Sequence, residues 1–111
     1  MSERLLIEEA KRKAKIYENL HFYLKTAYQV VKELDKNGEI YIFGSVAEKR
    51  NLISSDIDIL VVTNLPTEIV IAKLWEKGIT NPFEIHVVKS EMLNIYKEIA
   101  KLEKVEFFER V

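Results

Sequence analysis

Gly44-Ser45, ten intervening residues, and then Asp56-Ile57-Asp58 at the head of an apolar run form the stretch best equipped for chemistry. Gly44 follows Ile40-Tyr41-Ile42-Phe43, a strand-like segment, and a residue without a Cβ there lets backbone come close to a ligand. Ser45 adds a hydroxyl and a backbone N–H at the expected start of a short helix, an arrangement suited to an anion. Asp56 and Asp58 are two apart on an expected strand, so both carboxylates leave the same face. Two neighbouring acids repel each other, and a divalent cation relieves the repulsion. Oxygen-only ligands point to Mg²⁺ or Mn²⁺ rather than to zinc.

The elements that must hold these residues follow from periodicity. Residues 4–36 read as one long helix, because Tyr17, Leu20, Leu24, Ala27, Val31 and Leu34 recur at spacings of three and four. Asn37-Gly38 supplies its stop. Strands are predicted over 39–43, 56–62 and 83–88, with a short helix over 46–49 and a polar loop over 50–55. Thr67 is the expected N-cap of a helix running to Lys77, with Ile69, Val70, Leu74 and Trp75 facing inward. Ser90 is expected to cap a last helix to Glu103, and residues 105–111 fit either a helix end or a short strand. The order is α-β-α-β-α-β-α in a single domain, 1–111, of the α/β or α+β class on three or four strands.

Composition narrows the function classes. Hydrophobic residues make up 48% and charged residues 32%, which suits a folded, soluble chain. The net charge is −1, from 17 basic and 18 acidic residues, and this balance disfavours strong, sequence-independent nucleic-acid binding. Cysteine is absent, so disulfides, thiol catalysis and Cys-ligated zinc are excluded together. No apolar run approaches the ~20 residues that span a bilayer, and the N-terminal segment lacks a signal peptide's apolar core. The expected location is the cytoplasm.

This Gly-Ser-x10-Asp-x-Asp arrangement behind a strand resembles the signature of the DNA polymerase β-like nucleotidyltransferase superfamily. With a long helix ahead of the motif, the chain is most similar to the minimal nucleotidyltransferases of prokaryotes, the MntA-type antitoxins. The resemblance runs from the first helix to about Val88 and implies a polymerase-β-like fold with a small mixed sheet. It also implies three metal-holding carboxylates. Asp56 and Asp58 match the first two, and Glu84, the one acid inside the third apolar strand, sits where the family places its last. Glu84 departs from the commoner Asp; it is one methylene longer, and fits either a metal or the role of general base.

Other polar residues have plainer readings. Ser45 is the candidate for the β- or γ-phosphate, and Ser55, adjoining the metal site, is a further nucleotide-binding candidate beside a turn-capping role. His86 shares a face with Glu84 and reads as structural, with contact to the carboxylate or to phosphate as the alternative. His21 reads as packing, Lys49 and Arg50 as a solvated loop, and Tyr17, Tyr23 and Tyr28 as core or interface.

The resemblance implies transfer of AMP from ATP, with two Mg²⁺ ions or Mn²⁺, to a hydroxyl on an acceptor. Larger relatives carry an extra helical domain, so a minimal domain implies a partner in trans: a HEPN toxin whose tyrosine is AMPylated by its antitoxin. The rival readings are a non-catalytic antitoxin that silences its partner by occlusion, and template-free addition of nucleotides to RNA or DNA. A helix of 33 residues would extend about 50 Å, beyond what a small sheet covers. The segment 5–17 is therefore expected to meet a second copy or the toxin, unless the helix breaks near Asn19.

Overall fold

The computed structural model describes residues 3–44 and 56–107. Ser45, Ser55, the expected helix over 46–49 and the loop 50–55 lie outside the described residues.

The N-terminal segment is two helices, α1 (Glu3–Glu18) and α2 (Leu20–Leu34), rather than the single long helix expected. Asn19 makes the break. Its backbone leaves the helical region (φ −107°, ψ 22°), its N–H reaches both Lys15 O and Ile16 O at 3.1 Å, and its side-chain Nδ2 donates to Lys15 O at 2.8 Å. A short amide side chain that bonds the preceding turn competes with the helical ladder, and the ladder is interrupted there. From α1, Ile16 is buried and Tyr17 packs against the core, while Leu5, Leu6 and Ile7 are exposed. Arg12 reaches across to donate to Asn81 O at 2.8 Å.

Four strands follow: β1 (Glu39–Phe43), β2 (Ile57–Val62), β3 (Phe83–Val88) and β4 (Glu103–Lys104), in the sheet order β3-β2-β1-β4. β1 runs antiparallel to both β2 and β4, whereas β2 and β3 are parallel. Parallel neighbours need a crossover, and α3 (Thr67–Glu76) supplies it. Thr67 is the first residue of α3 and not its cap; Pro66 takes the cap position, where a fixed φ and a missing N–H cost nothing. Val70 and Leu74, four apart, are buried, but Ile69 and Trp75 are exposed because they fall off that stripe.

The last helix is shorter than expected. A 3₁₀ turn (Ser90–Met92) leads into α4 (Leu93–Ile99), and the chain then pairs as β4 instead of continuing helical to Glu103. Val105 N–H donating to Ile40 O at 2.9 Å, and Lys104 Nζ at 2.8 Å from Glu39 Oε2 and 3.1 Å from Glu106 Oε1, hold this edge.

The two sheet faces have different covers. Ile40, Ile42, Ile57, Ile59, Val61 and Phe83 meet Ala27, Val30, Val31, Val70 and Leu74 of α2 and α3. Tyr41, Leu60 and Val62 face the other way, toward Leu93 and Tyr96 of α4. The architecture is a mixed α+β fold on a four-stranded sheet, as the resemblance implied.

Candidate functional site

Alternation along β2 decides where its acids go. Ile57, Ile59 and Val61 are fully buried under α2 and α3, which forces Asp58 and Leu60 onto the α4 face. Register then aligns the neighbours. Phe43 of β1, Asp58 of β2 and Glu84 of β3 form one row across the sheet, and Tyr41, Leu60 and His86 form the next. Asp58 and Glu84, distant in sequence, thus sit side by side.

Asp58 is partly buried, Glu84 exposed and His86 intermediate. His86 Nε2 lies 3.5 Å from Asp58 Oδ1 and 3.7 Å from Glu84 Oε1. One ligand atom from each of the three falls within 4.8 Å of the others. Burial pushes the Asp58 carboxyl above the usual carboxylate range; the Glu84 charge adds to the rise, His86 opposes it, and Asp56 adds a smaller push. The Tyr17 hydroxyl is likewise raised, first by burial and then by the charges of Asp56 and Asp58, which brings the end of α1 into the field of this site.

Gly44 ends β1 with φ +74°, a conformation that side chains disfavour, and a Cβ there would stand 2.5 Å from Asp58 Oδ2. A Cβ at position 44 would therefore require the Asp58 carboxylate to shift from where it stands.

Asp56 lies one residue ahead of β2, which begins at Ile57, and is exposed. It lines an open cavity of about 320 Å³ together with Glu84, Trp75, Thr80, Asn81, Pro82 and Phe83. Arg12 of α1 holds the Asn81 side of that cavity. Thus Asp58 and Glu84 are brought together with His86, whereas Asp56 shares the cavity with Glu84 and is not part of the three-residue cluster. Ser45 and Ser55 lie outside the described residues. His86 was readable as a companion of Glu84 from its two-residue spacing; its approach to Asp58 was not, because that depends on the β2–β3 register.

The donor set suits a divalent cation. Two carboxylates from adjacent strands and an imidazole nitrogen converge, and glycine leaves room beside one of them. Among the described residues, no helix is long and apolar enough to cross a membrane.

The chain is similar to a solved crystal structure provisionally named a nucleotidyltransferase, at 24% identity and a TM-score of 0.55, with 74% of this chain and 96% of that one covered. At that identity the likeness is one of fold. A second, from Sulfolobus solfataricus and provisionally named likewise, shows 25% identity and a TM-score of 0.49 over 88% of this chain and 83% of that one. No curated protein matches. Residues 24–111 match the family model for the nucleotidyltransferase domain, and on that span the chain belongs to the nucleotidyltransferase family.

Proposed function

We propose that the chain transfers AMP from ATP to a hydroxyl, a tyrosine's by preference, of a helical HEPN toxin for which it is the antitoxin. The observation that carries the transfer is the pairing of Asp58 with Glu84 across parallel strands, next to a glycine that leaves the carboxylate its space. The near-neutral charge supports a protein acceptor over a nucleic acid, and the resemblance to minimal nucleotidyltransferases supports the toxin.

In this reading the acceptor oxygen forms a bond to the α-phosphorus of ATP as the bond to the β-phosphate's bridging oxygen breaks, and pyrophosphate leaves. The hydroxyl proton passes to Asp56 or Glu84, the two carboxylates that line the cavity. Asp58, Glu84 and Asp56 would hold divalent cations, Mg²⁺ or Mn²⁺, whose chemistry is to neutralise the triphosphate and the departing charge. The cavity beside Trp75 and Asn81 is where the acceptor side chain enters, and Gly44 lies on the nucleotide side. Leu5, Leu6 and Ile7, exposed on α1, offer the partner an apolar surface.

The test uses ATP labelled at the α-phosphate, Mg²⁺ or Mn²⁺, and a co-expressed helical partner carrying the Arg-x4–6-His motif of HEPN nucleases. Label on the partner's tyrosine supports the reading, and label on RNA or DNA replaces it with nucleotide addition. A silenced partner without label leaves occlusion as the function. Charge substitutions at Leu6 and Ala10 that spare the complex while destabilising the lone chain would remove α1 from the interface.

A further inference from the structure

We propose that His86 is a direct nitrogen ligand to the cation held by Asp58 and Glu84, so that this centre prefers first-row transition ions such as Mn²⁺ and Co²⁺ to Mg²⁺. The inference deepens the proposed metal-dependent transfer and rests on it for the cation's purpose, not for its geometry.

Three observations carry it. First, the ligand atoms of Asp58, Glu84 and His86 lie within 4.8 Å of one another. Donors about 2.0–2.4 Å from a shared centre stand at most about 4.8 Å apart, so the triangle closes on an ion with little movement. Second, His86 Nε2 is shielded from solvent and has no hydrogen-bond partner among the described residues. Its distances to the two carboxylates, 3.5 and 3.7 Å, exceed the ~2.7–3.2 Å of a formed N–H···O bond. A shielded ring nitrogen set between two carboxylates, at a longer range than a formed hydrogen bond from either, is placed where it reaches a cation that both hold. Third, the ring is held there by packing. Phe43, which adjoins Asp58 in the same row, meets His86 edge-to-face at a centroid separation of 5.2 Å.

The chemistry of the set follows. Carboxylates alone suit Mg²⁺, whereas imidazole contributes little to a hard ion that keeps its water and much to softer divalent ions, with affinity rising from Mn²⁺ through Co²⁺. Asp56, outside this cluster, lines the cavity beside Glu84.

The test is made on the full chain without a polyhistidine tag. In the Mn²⁺-loaded protein, pulsed electron paramagnetic resonance should show ¹⁴N coupling from one imidazole. The coupling should vanish in His86→Ala and persist in His21→Ala. Calorimetric titration should show His86→Gln losing at least about tenfold in Co²⁺ affinity, with Mg²⁺ affinity changed by less than about twofold. Absence of ¹⁴N coupling in the wild-type chain overturns the proposal, whatever the variants do. Equal loss of Co²⁺ and Mg²⁺ in His86→Gln overturns it too, and would make His86 a positioning residue. Labelling with ATP is measured separately. Coupling without transfer keeps the His86 ligand and discards the transfer reading, and transfer without coupling does the reverse.

Discussion

The two faces of β2 are built from alternate residues of one short strand and have opposite purposes. Ile57, Ile59 and Val61 are wholly buried against α2 and α3, while Asp58, between two of them, sits beside Glu84 and His86 on the α4 face. Positions one residue apart therefore differ in what they contribute. The odd positions lower the free energy of the fold, and Asp58 raises it, since burial and Glu84 both disfavour its charge. A group kept in place at a cost to the fold is a candidate for use elsewhere.

The sharpest test of this contrast is Asp58→Asn. Transfer should fall by about 10³-fold, or ~4 kcal/mol of barrier, with the thermal midpoint unchanged or raised, because the repulsion with Glu84 disappears. Labelling assays and a thermal melt on one sample check both halves; a collapse in stability would assign Asp58 to the fold. Ile59→Ala, the next residue along, should do the opposite. It should cost about 3 kcal/mol of stability by urea denaturation, and leave the activity of the folded fraction intact.

Gly44→Ala should blur the contrast, since the new Cβ strains the backbone at φ +74° and displaces the Asp58 carboxylate. A loss of about 1–2 kcal/mol in stability is expected together with a loss of activity. Activity at the wild-type level per folded molecule would show that the close approach of Gly44 does not position Asp58.

The smallest effect lies away from the site. Thr63 Oγ1 donates to Asp35 Oδ2 at 2.6 Å, and the Asn37 N–H donates to Asp35 Oδ1 at 2.9 Å. The Thr63 bond first, and the Asn37 bond second, hold the Asp35 carboxyl below its ordinary value of 3.8. A depressed folded value gives stability that is present above the unfolded pKa and is lost as pH falls through the lower folded one. Thr63→Val should thus cost about 1 kcal/mol at neutral pH, discounted for Asp35's exposure, and the gap should close below about pH 4. A gap constant across that range would mean that Asp35 is not the partner that matters.

Much of this layout could be read from residue order. Strands with a period of two placed Asp58 and Glu84 on polar faces, and the apolar runs around them located β1, β2 and β3 to within a residue. The break at Asn19 was legible only as the alternative to one long helix, because the stripe of Tyr17, Leu20 and Leu24 runs through it; the Asn19 amide bonding to Lys15 O decides for the break. β4 has no pattern to find: it is two exposed charged residues, fixed by an ion pair to Glu39 and by main-chain bonding to β1. The convergence of His86 on Asp58 depends on register between strands, which periodicity within either strand does not specify.

The crossover α3 has one more consequence. Because β2 and β3 lie parallel, no hairpin can bring Asp58 to Glu84, and the whole passage from Asn64 to Pro82 must be traversed before the two meet. The Asp58–Glu84 pair is a coincidence detector for folding: the two carboxylates meet only once both halves of the sheet have docked. Two fragments cut within that passage would each carry half of the chemistry, and any activity regained on mixing them would read out noncovalent complementation directly.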